Sequence, residues 1–162
     1  MNTEFKRFCV VYVKILSSTI IVVIAALDQF SKNALQSYFA QGGGYSLPFV
    51  KIIPVWNPGI SLGILGELPY SGNLFLVIGT ILVTLLYKMI LSIRSKRVAI
   101  LWSMIIGGAV GNLIDRIISG AVFDFIDISL CGKHFPTFNF ADCAISLGVL
   151  MLLIRSFKSM RR

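Results

Sequence analysis

The chain has 162 residues, 56% of them hydrophobic, and a formal net charge of +8. A soluble domain of this length does not need so much apolar surface, so the composition indicates a polytopic membrane protein. The positive charge alone would also fit a nucleic-acid-binding protein, but no interleaving of aromatic and basic residues supports that class. Because no linker, repeat or low-complexity stretch divides the sequence, we expect one domain over residues 1–162.

The distribution of the basic residues predicts how the chain crosses the membrane. Four spanning helices would place three basic clusters on one side, and the positive-inside rule makes that side, with both termini, cytoplasmic. These clusters hold eleven of the 15 basic residues: Lys6, Arg7, Lys14, Lys88, Arg94, Lys96, Arg97, Arg155, Lys158, Arg161 and Arg162.

The first apolar run predicts helix 1 from about Cys9 to Tyr38. In its outer half, Asp28 and Lys32 stand four residues apart with the acid first, which is the favoured order for an ion pair on one helical face. Two interpretations are open: a structural pair that faces the bundle or snorkels toward the interface, and direct contact with a ligand.

The segment from Ala40 to Leu68 is predicted to be non-helical, because glycines and prolines interrupt it repeatedly. Two short strands are predicted within it, at Phe49–Ile53 and Val55–Trp56. We expect a small β-element at the outer surface, with the aromatic rings of Tyr45 and Trp56 at the level of the lipid headgroups.

Helix 2 is predicted from about Asn73 to Ile93, and helix 3 from about Val98 to Ile118. Gly107 and Gly111 form a small-xxx-small face, which is typical of close packing between membrane helices.

Helix 3 is predicted to end in a polar patch. Asn112 and Arg116 lie one turn apart on a common face, with Asp115 beside them. A helix-end anchor explains Arg116 alone, but it explains Asn112 poorly because that amide lies a turn deeper.

The second outer segment leads into helix 4, which is predicted from Asn139–Ala141 to about Phe157. Before it, Ala121–Ile126 alternates well enough for a short strand that carries Asp124. Asp142 falls in the first turn of helix 4, where the helix dipole favours a negative charge. That placement explains Asp142 by itself, so a stabilising acid and a functional acid are equally open.

Asp124 and Asp142 flank the same outer segment, so both can reach one membrane–water boundary, at the level predicted for Asn112, Arg116 and Asn139. A carboxylate near hydrocarbon is costly and usually marks a working site. Two close carboxylates in a low dielectric share a proton. The ionised one can take a proton from water, and the protonated one can donate to a carbonyl and then protonate the leaving nitrogen. This chemistry needs no metal and no cofactor.

Other chemistries have weaker signals. A metal site built from Asp124, Asp127, Asp142 and His134 is conceivable, as is a thiol–imidazole pair of Cys131 and His134, but His134 is more simply an interfacial polar residue. The three cysteines fit no metal spacing. Cys9 is expected to be cytoplasmic or buried. Cys131 and Cys143 fall on the outer side, where a disulfide is possible, but buried free thiols are the usual state and are expected here. A proton or ion carrier would need ionisable groups across the bilayer depth, whereas here they collect at one end. A non-enzymatic membrane scaffold is the third alternative.

Five short blocks follow one another along the chain: Asp28-Gln-Phe-Ser-Lys32, Asn57-Pro-Gly59, Gly111-Asn-Leu-Ile-Asp-Arg116, Phe123-Asp-Phe-Ile-Asp127 and Phe138-Asn-Phe-Ala-Asp142. Together they resemble, in order, the motif blocks of bacterial lipoprotein signal peptidase, also called signal peptidase II. The likeness covers nearly the whole chain. In the loop after Asn57, Ile60 and Leu62 replace the small and aromatic residues that are usual in the family.

The resemblance implies a role for each matching residue. Asp124 and Asp142 would form the catalytic dyad. Asn112, Arg116 and Asn139 would line the site. Asn57 and Gly59 would belong to an outer loop near the substrate. Asp28 and Lys32 would fall on positions important for structure or activity.

The resemblance also implies the fold and the activity. It implies an all-α membrane protein with four transmembrane helices, a small outer β-element and both termini cytoplasmic. Such a protein would be an aspartic endopeptidase of the bacterial inner membrane, with its active site at the outer face. Its substrates would be prolipoproteins, cut before the cysteine that carries a diacylglyceryl group. We expect a monomer in contact with membrane lipid, with no cofactor and no nucleic acid.

Overall fold

The computed structural model describes residues 3–59, 71–130 and 133–160. The described part contains four long helices, each long and apolar enough to cross a membrane. The predicted four-helix membrane architecture is therefore confirmed. The helices are α1 at Thr3–Ala40, α2 at Ser71–Ile90, α3 at Lys96–Ser119 and α4 at Phe140–Met160.

The helix boundaries differ from the predicted ones by a few residues. Helices α1, α3 and α4 extend beyond their predicted ends, since polar and basic residues continue a helix into the interface as readily as apolar ones. Helix α2 ends earlier, at Ile90 rather than Ile93, because the chain turns there: the N–H of Ser92 bonds to the carbonyl of Met89, at 3.0 Å. This tight turn joins α2 to α3.

Helix α3 is the central element and packs against each of the other three helices. Its glycines make these contacts close. A Cβ at Gly111 would lie 2.5 Å from Oδ2 of Asp28 on α1. A Cβ at Gly107 would lie 2.9 Å from Cβ of Ile24, also on α1. The predicted small-residue packing face is thus confirmed. Gly108 adds a second contact, since its Cβ would lie 2.5 Å from the carbonyl oxygen of Ala141 on α4.

The outward faces of the bundle carry large apolar side chains with about half or more of their surface exposed. Val22 on α1 is 65% exposed, Leu85 on α2 is 58% exposed and Leu153 on α4 is 51% exposed. In water such a surface would be unstable, whereas lipid acyl chains can cover it.

In the described part of the chain, four short strands form one antiparallel sheet in the order β1-β2-β3-β4. Their bounds are Tyr45–Ser46, Val50–Asn57, Val122–Leu130 and Lys133–His134. The small β-element that the sequence predicts is therefore present. Two details differ: β2 is one strand rather than two, and β3 continues to Leu130 rather than ending at Ile126. In β2 the register shifts between Ile52 and Val55, around Pro54, which has no N–H to donate to the neighbouring strand.

Strand β3 connects the sheet to the helices. Val122, Phe123 and Phe125 are buried, and β3 contacts both α1 and α3. The ring of Phe123 packs between Phe39 of α1 and Trp56 of β2, with centroid distances of 6.3 and 5.1 Å. This burial holds β3 against the end of the bundle at which α1 ends and α4 begins.

Candidate active site

Asp124 lies on β3 with only 1% of its surface exposed. The antiparallel register places it opposite Val55, two residues before Asn57 on the neighbouring strand. Asn57 reaches across to it, and its Nδ2 donates to Oδ2 of Asp124 at 3.1 Å. The other oxygen, Oδ1, accepts a hydrogen bond from Nδ2 of Asn139 at 2.7 Å. Both carboxylate oxygens are therefore held by side-chain amides.

Asp142 lies in the first turn of α4, as predicted. Asn139 immediately precedes the helix, and its Oδ1 accepts the N–H of Asp142 at 3.0 Å. In return, Oδ2 of Asp142 accepts the N–H of Asn139 at 3.2 Å. This reciprocal pair is a capping box, which satisfies two backbone donors that the first turn of a helix leaves free.

Asn139 connects the two acids, because its side chain contacts Asp124 while its backbone N–H contacts Asp142. Its amide orientation follows from the cap: Oδ1 must face the N–H of Asp142, so Nδ2 must face the Asp124 carboxylate. The structure thus brings together two carboxylates that are distant in the sequence, around one buried asparagine.

Asn112 on α3 holds the remaining oxygen of Asp142. Its Nδ2 donates to Oδ1 of Asp142 at 2.9 Å, and its Oδ1 accepts from Nζ of Lys32 at 3.0 Å and from Nδ2 of Asn139 at 3.1 Å. An ammonium can only donate, so Lys32 determines which end of the Asn112 amide faces Asp142.

Lys32 belongs to a buried charge cluster on α1 and α3. Its Nζ lies 2.7 Å from Oδ2 of Asp28 and 2.7 Å from Oδ2 of Asp115, with the Lys32 and Asp28 side chains 1% and 0% exposed. Oδ1 of Asp28 accepts the N–H of Ala141 at 2.9 Å, so α1 also caps the first turn of α4. Asp28 and Lys32 therefore form a buried ion pair that faces the bundle interior, as the structural interpretation of their spacing predicts.

Arg116 ties α3 to the segment after β2. Its Nη2 donates to the carbonyl oxygen of Gly59 at 2.9 Å, and its Nη1 donates to that of Asn112 at 3.3 Å. The N–H of Gly59 in turn bonds to Oδ1 of Asn57 at 3.0 Å. The guanidinium also lies over the ring of Phe75, 6.0 Å from its centroid. Gly59, Asn57 and Arg116 therefore lie in one network with the Asp124 carboxylate. Ile60, Leu62 and the rest of that loop lie outside the described residues.

The environment of Asp124 favours its protonated form. Burial is the main cause and raises the pKa of Asp124 to about 6. The hydrogen bond from Asn57 lowers this pKa, and the negative charge of Asp142 raises it. The pair of carboxylates can therefore hold a proton close to neutral pH.

Comparisons with known proteins cover the part of the chain that contains this network. The family model described as signal peptidase II matches residues 20–158. The lipoprotein signal peptidase of Rickettsia conorii is 43% identical over 143 residues, which is 85% of this chain and 70% of the relative. That of Anaplasma marginale is 36% identical over 141 residues, or 86% of this chain and 83% of the relative. The chain belongs to the signal peptidase II family.

The fold of this signal peptidase II chain is similar to two solved structures of bacterial membrane enzymes. One has a TM-score of 0.77 at 29% identity and covers 88% of this chain and 93% of the other. The second has a TM-score of 0.74 at 28% identity, with coverages of 90% and 89%. The resemblance seen in the sequence is confirmed, and with it a membrane protease family.

The sequence predicts no role for Asp115, which stands beside the polar patch, or for Gln29, yet both belong to this network. Asp115 accepts Lys32 through Oδ2, which also accepts the N–H of Phe123 at 3.1 Å, at the start of β3. Gln29 donates to Oδ1 of Asp115 at 2.8 Å. One signal was available: Asp115 follows Asn112 by three residues, so both lie on the helix face that meets Lys32.

The remaining predicted polar residues lie apart from this cluster. Asp127 is three positions after Asp124 on β3, hence on the opposite face of the strand. It contacts Nδ1 of His134 at 2.8 Å. Among residues 3–59, 71–130 and 133–160, no group of three or more His, Cys, Asp or Glu side chains is arranged to hold a metal ion.

The cysteine predictions have a mixed outcome. Cys143 on α4 is a free thiol, but it is exposed rather than buried, because it faces outward from the bundle. Cys131 lies outside the described residues, and so does the thiol–imidazole pair suggested for it.

Proposed function

We propose that this chain is an aspartic endopeptidase that removes signal peptides from diacylglyceryl-modified prolipoproteins, with Asp124 and Asp142 as the catalytic dyad. The observation that supports the dyad best is the contact of both carboxylates with Asn139. The substrate class follows from family membership and from relatives named lipoprotein signal peptidase.

The proposed reaction uses one proton shared by the two acids. Each of the four carboxylate oxygens accepts one hydrogen bond from an asparagine. Since a carboxylate oxygen has two lone pairs, each keeps one site for a water or a proton. The ionised acid takes a proton from the attacking water, and the protonated acid donates to the scissile carbonyl. When the tetrahedral intermediate collapses, the protonated acid gives its proton to the leaving nitrogen. The other acid takes the proton of one hydroxyl as the carbonyl re-forms, so the pair is again singly protonated.

The supporting residues act by positioning in this proposal. Lys32 orients the Asn112 amide, and its ion pairs with Asp28 and Asp115 hold that lysine in place in the interior. Arg116 holds the segment at Gly59 next to the dyad and places a positive charge near both acids. A developing oxyanion between them would be stabilised by such a charge, because the site is largely shielded from water.

The placement of the site suggests the orientation in the membrane. The dyad lies where α1 ends and α4 begins, whereas the basic clusters lie toward the other end of the bundle, with the termini. We propose that the termini are cytoplasmic and that the dyad lies at the outer face of the inner membrane. A substrate anchored by its acyl chains would stay at this level, with the bond before the lipidated cysteine, the proposed cut site, within reach of the dyad. Tethering also supplies part of the orientation that the reaction needs.

The test is cleavage of a diacylglyceryl-modified prolipoprotein peptide by the purified protein in detergent, with a chelator present. We expect Asp124→Asn and Asp142→Asn to lose at least about 100-fold in rate, which is the contribution typical of one acid or base. Asp127→Asn is the matched control, since it changes an acid on the same strand that points to the other face. The same peptide without the lipid tests the requirement for anchoring.

Two results would contradict the proposal in different ways. Wild-type cleavage by either dyad variant would remove that acid from the mechanism. Loss of activity with chelator would favour a metal-dependent reaction instead.

A further inference from the structure

A cavity lies between α3 and α4, at the end of the bundle away from the dyad. The cavity has a volume of about 650 Å³. Its walls combine cationic side chains, from Arg97, Arg155 and Lys158, with apolar ones, which include Leu101, Met151 and Ile154. None of the lining residues is acidic.

The lining changes from apolar to cationic along both helices. On α3, Arg97 precedes Leu101 by one turn, so the cation is nearer the helix end. On α4, which runs the opposite way, Met151 comes first and Arg155 follows one turn later, with Lys158 in the last turn. Residues four apart share a helix face, so each helix presents an apolar side chain toward the membrane interior and a cation at its boundary.

Close helix packing bounds the cavity on its inner side. A Cβ at Gly148 would lie 3.0 Å from the carbonyl oxygen of Leu101 and 2.7 Å from Cγ1 of Ile105, so α3 and α4 touch there. Leu101 also lines the cavity, which therefore begins where this contact ends. The cavity extends from this packed contact to the helix ends that carry the cations.

The cations of the cavity have no anionic partner within the part of the chain that the structure describes. Arg97, Arg155 and Lys158 are exposed and make no ion pair. Three like charges around one cavity repel one another, and a bound anion would relieve that repulsion.

We propose that this cavity binds an anionic phospholipid, with the phosphate headgroup on the three cations and an acyl chain along the apolar wall. The charge complementarity selects an anionic headgroup over a zwitterionic one. The apolar wall selects a lipid over a free phosphate, because burying those side chains against an acyl chain removes them from water.

The experiment measures lipid retained by the full-length, delipidated protein in detergent, by native mass spectrometry, with phosphatidylglycerol and phosphatidylcholine in competition. We expect a preference for phosphatidylglycerol, and a loss of at least about tenfold in that preference when Arg97, Arg155 and Lys158 are all changed to glutamine, since each cation is worth roughly fivefold near an anionic lipid. Ser159→Glu, a single exposed change that adds a negative charge to the lining, should also lower the preference.

The control removes the same number of charges at the same end of the bundle but outside the cavity: Lys14→Gln, Lys88→Gln and Arg94→Gln together. It should keep the preference. The proposal is wrong if the cavity variants retain the wild-type preference, or if the control loses as much as they do. Displacement of the bound lipid by inorganic phosphate at equal concentration would also overturn it, because the apolar wall would then contribute nothing.

Discussion

The clearest test of the site concerns Asn139, which has two separable roles. Its Oδ1 caps α4 by accepting the N–H of Asp142, and its Nδ2 donates to Oδ1 of Asp124 at 2.7 Å. Serine can replace the first role, because its hydroxyl is as good an N-cap acceptor as an asparagine amide. It cannot reach Asp124 with a second donor. Asn139→Ser should therefore keep the helix cap and remove the contact between the acids.

The magnitude follows from the kind of bond that is lost. A hydrogen bond to a charged group contributes about 1.5–3 kcal/mol. If that stabilisation is lost in the transition state, kcat/KM falls by about 10- to 150-fold. Asn139→Ala loses the same donor and also the cap, which adds about 1 kcal/mol of helix destabilisation. The two variants should thus be similarly inactive but differ in stability.

The assay combines cleavage of the lipidated peptide with thermal unfolding in the same detergent. We expect Asn139→Ser to unfold at a higher temperature than Asn139→Ala, with kcat/KM reduced in both. An unchanged kcat/KM for a folded Asn139→Ser protein would refute the role of Nδ2 in holding the dyad. Equal destabilisation of the two variants would refute the capping role of Oδ1.

Four further predictions concern residues of the same network and its packing. Lys32→Met leaves buried carboxylates without their cation, and such a loss costs about 3–5 kcal/mol, so thermal unfolding should show a much less stable protein. For the wild type, kcat/KM should fall as pH rises through about 6, the pKa to which burial raises Asp124, because the pair then loses its last proton. Asn57→Ala removes a hydrogen-bond donor that favours the ionised form of Asp124, so the pKa of Asp124 should rise. The fall in kcat/KM should then occur at a higher pH than in the wild type. Gly111→Ala places a Cβ 2.5 Å from Oδ2 of Asp28, which should separate α1 from α3 and destabilise the protein by about 1–3 kcal/mol.

Each of these has a control. Adding Asp115→Asn to Lys32→Met should recover part of the stability, since one of the unpaired charges is removed. A pH profile that is the same for wild type and Asn57→Ala would mean that another group titrates. Gly44→Ala should be neutral because no atom lies within 4 Å of its Cβ position, and a loss as large as that of Gly111→Ala would argue against the steric explanation.

The sequence predicted the helices and the small sheet well, because these depend on local features. The length of each apolar run indicates a membrane span, and Gly107 and Gly111 indicate a packing face. The ends of the elements were less predictable. Ile90 ends α2 through a turn, and Pro54 shifts the register of β2 without dividing it.

The roles of individual polar residues were harder to predict. The sequence left Asp142 open between a helix cap and a functional acid, and the structure shows that the two are compatible. One oxygen of Asp142 completes the cap with Asn139, and the other accepts from Asn112. Gln29 could not be found because its acceptor, Asp115, is distant in the chain.

By itself, then, the sequence determined which stretches leave water, which end of the bundle carries the acids, and to which family the chain belongs. The free energy of transferring a helix into hydrocarbon is a sum of contributions from residues that are consecutive in the sequence, so the sequence alone is enough to calculate it. Only the tertiary structure decided which polar groups meet. Hydrogen bonds are sensitive to direction and to changes of a few tenths of an ångström in distance. Here the positions of the polar groups are determined by the close contacts of α3 with α1 at Gly111 and with α4 at Gly108.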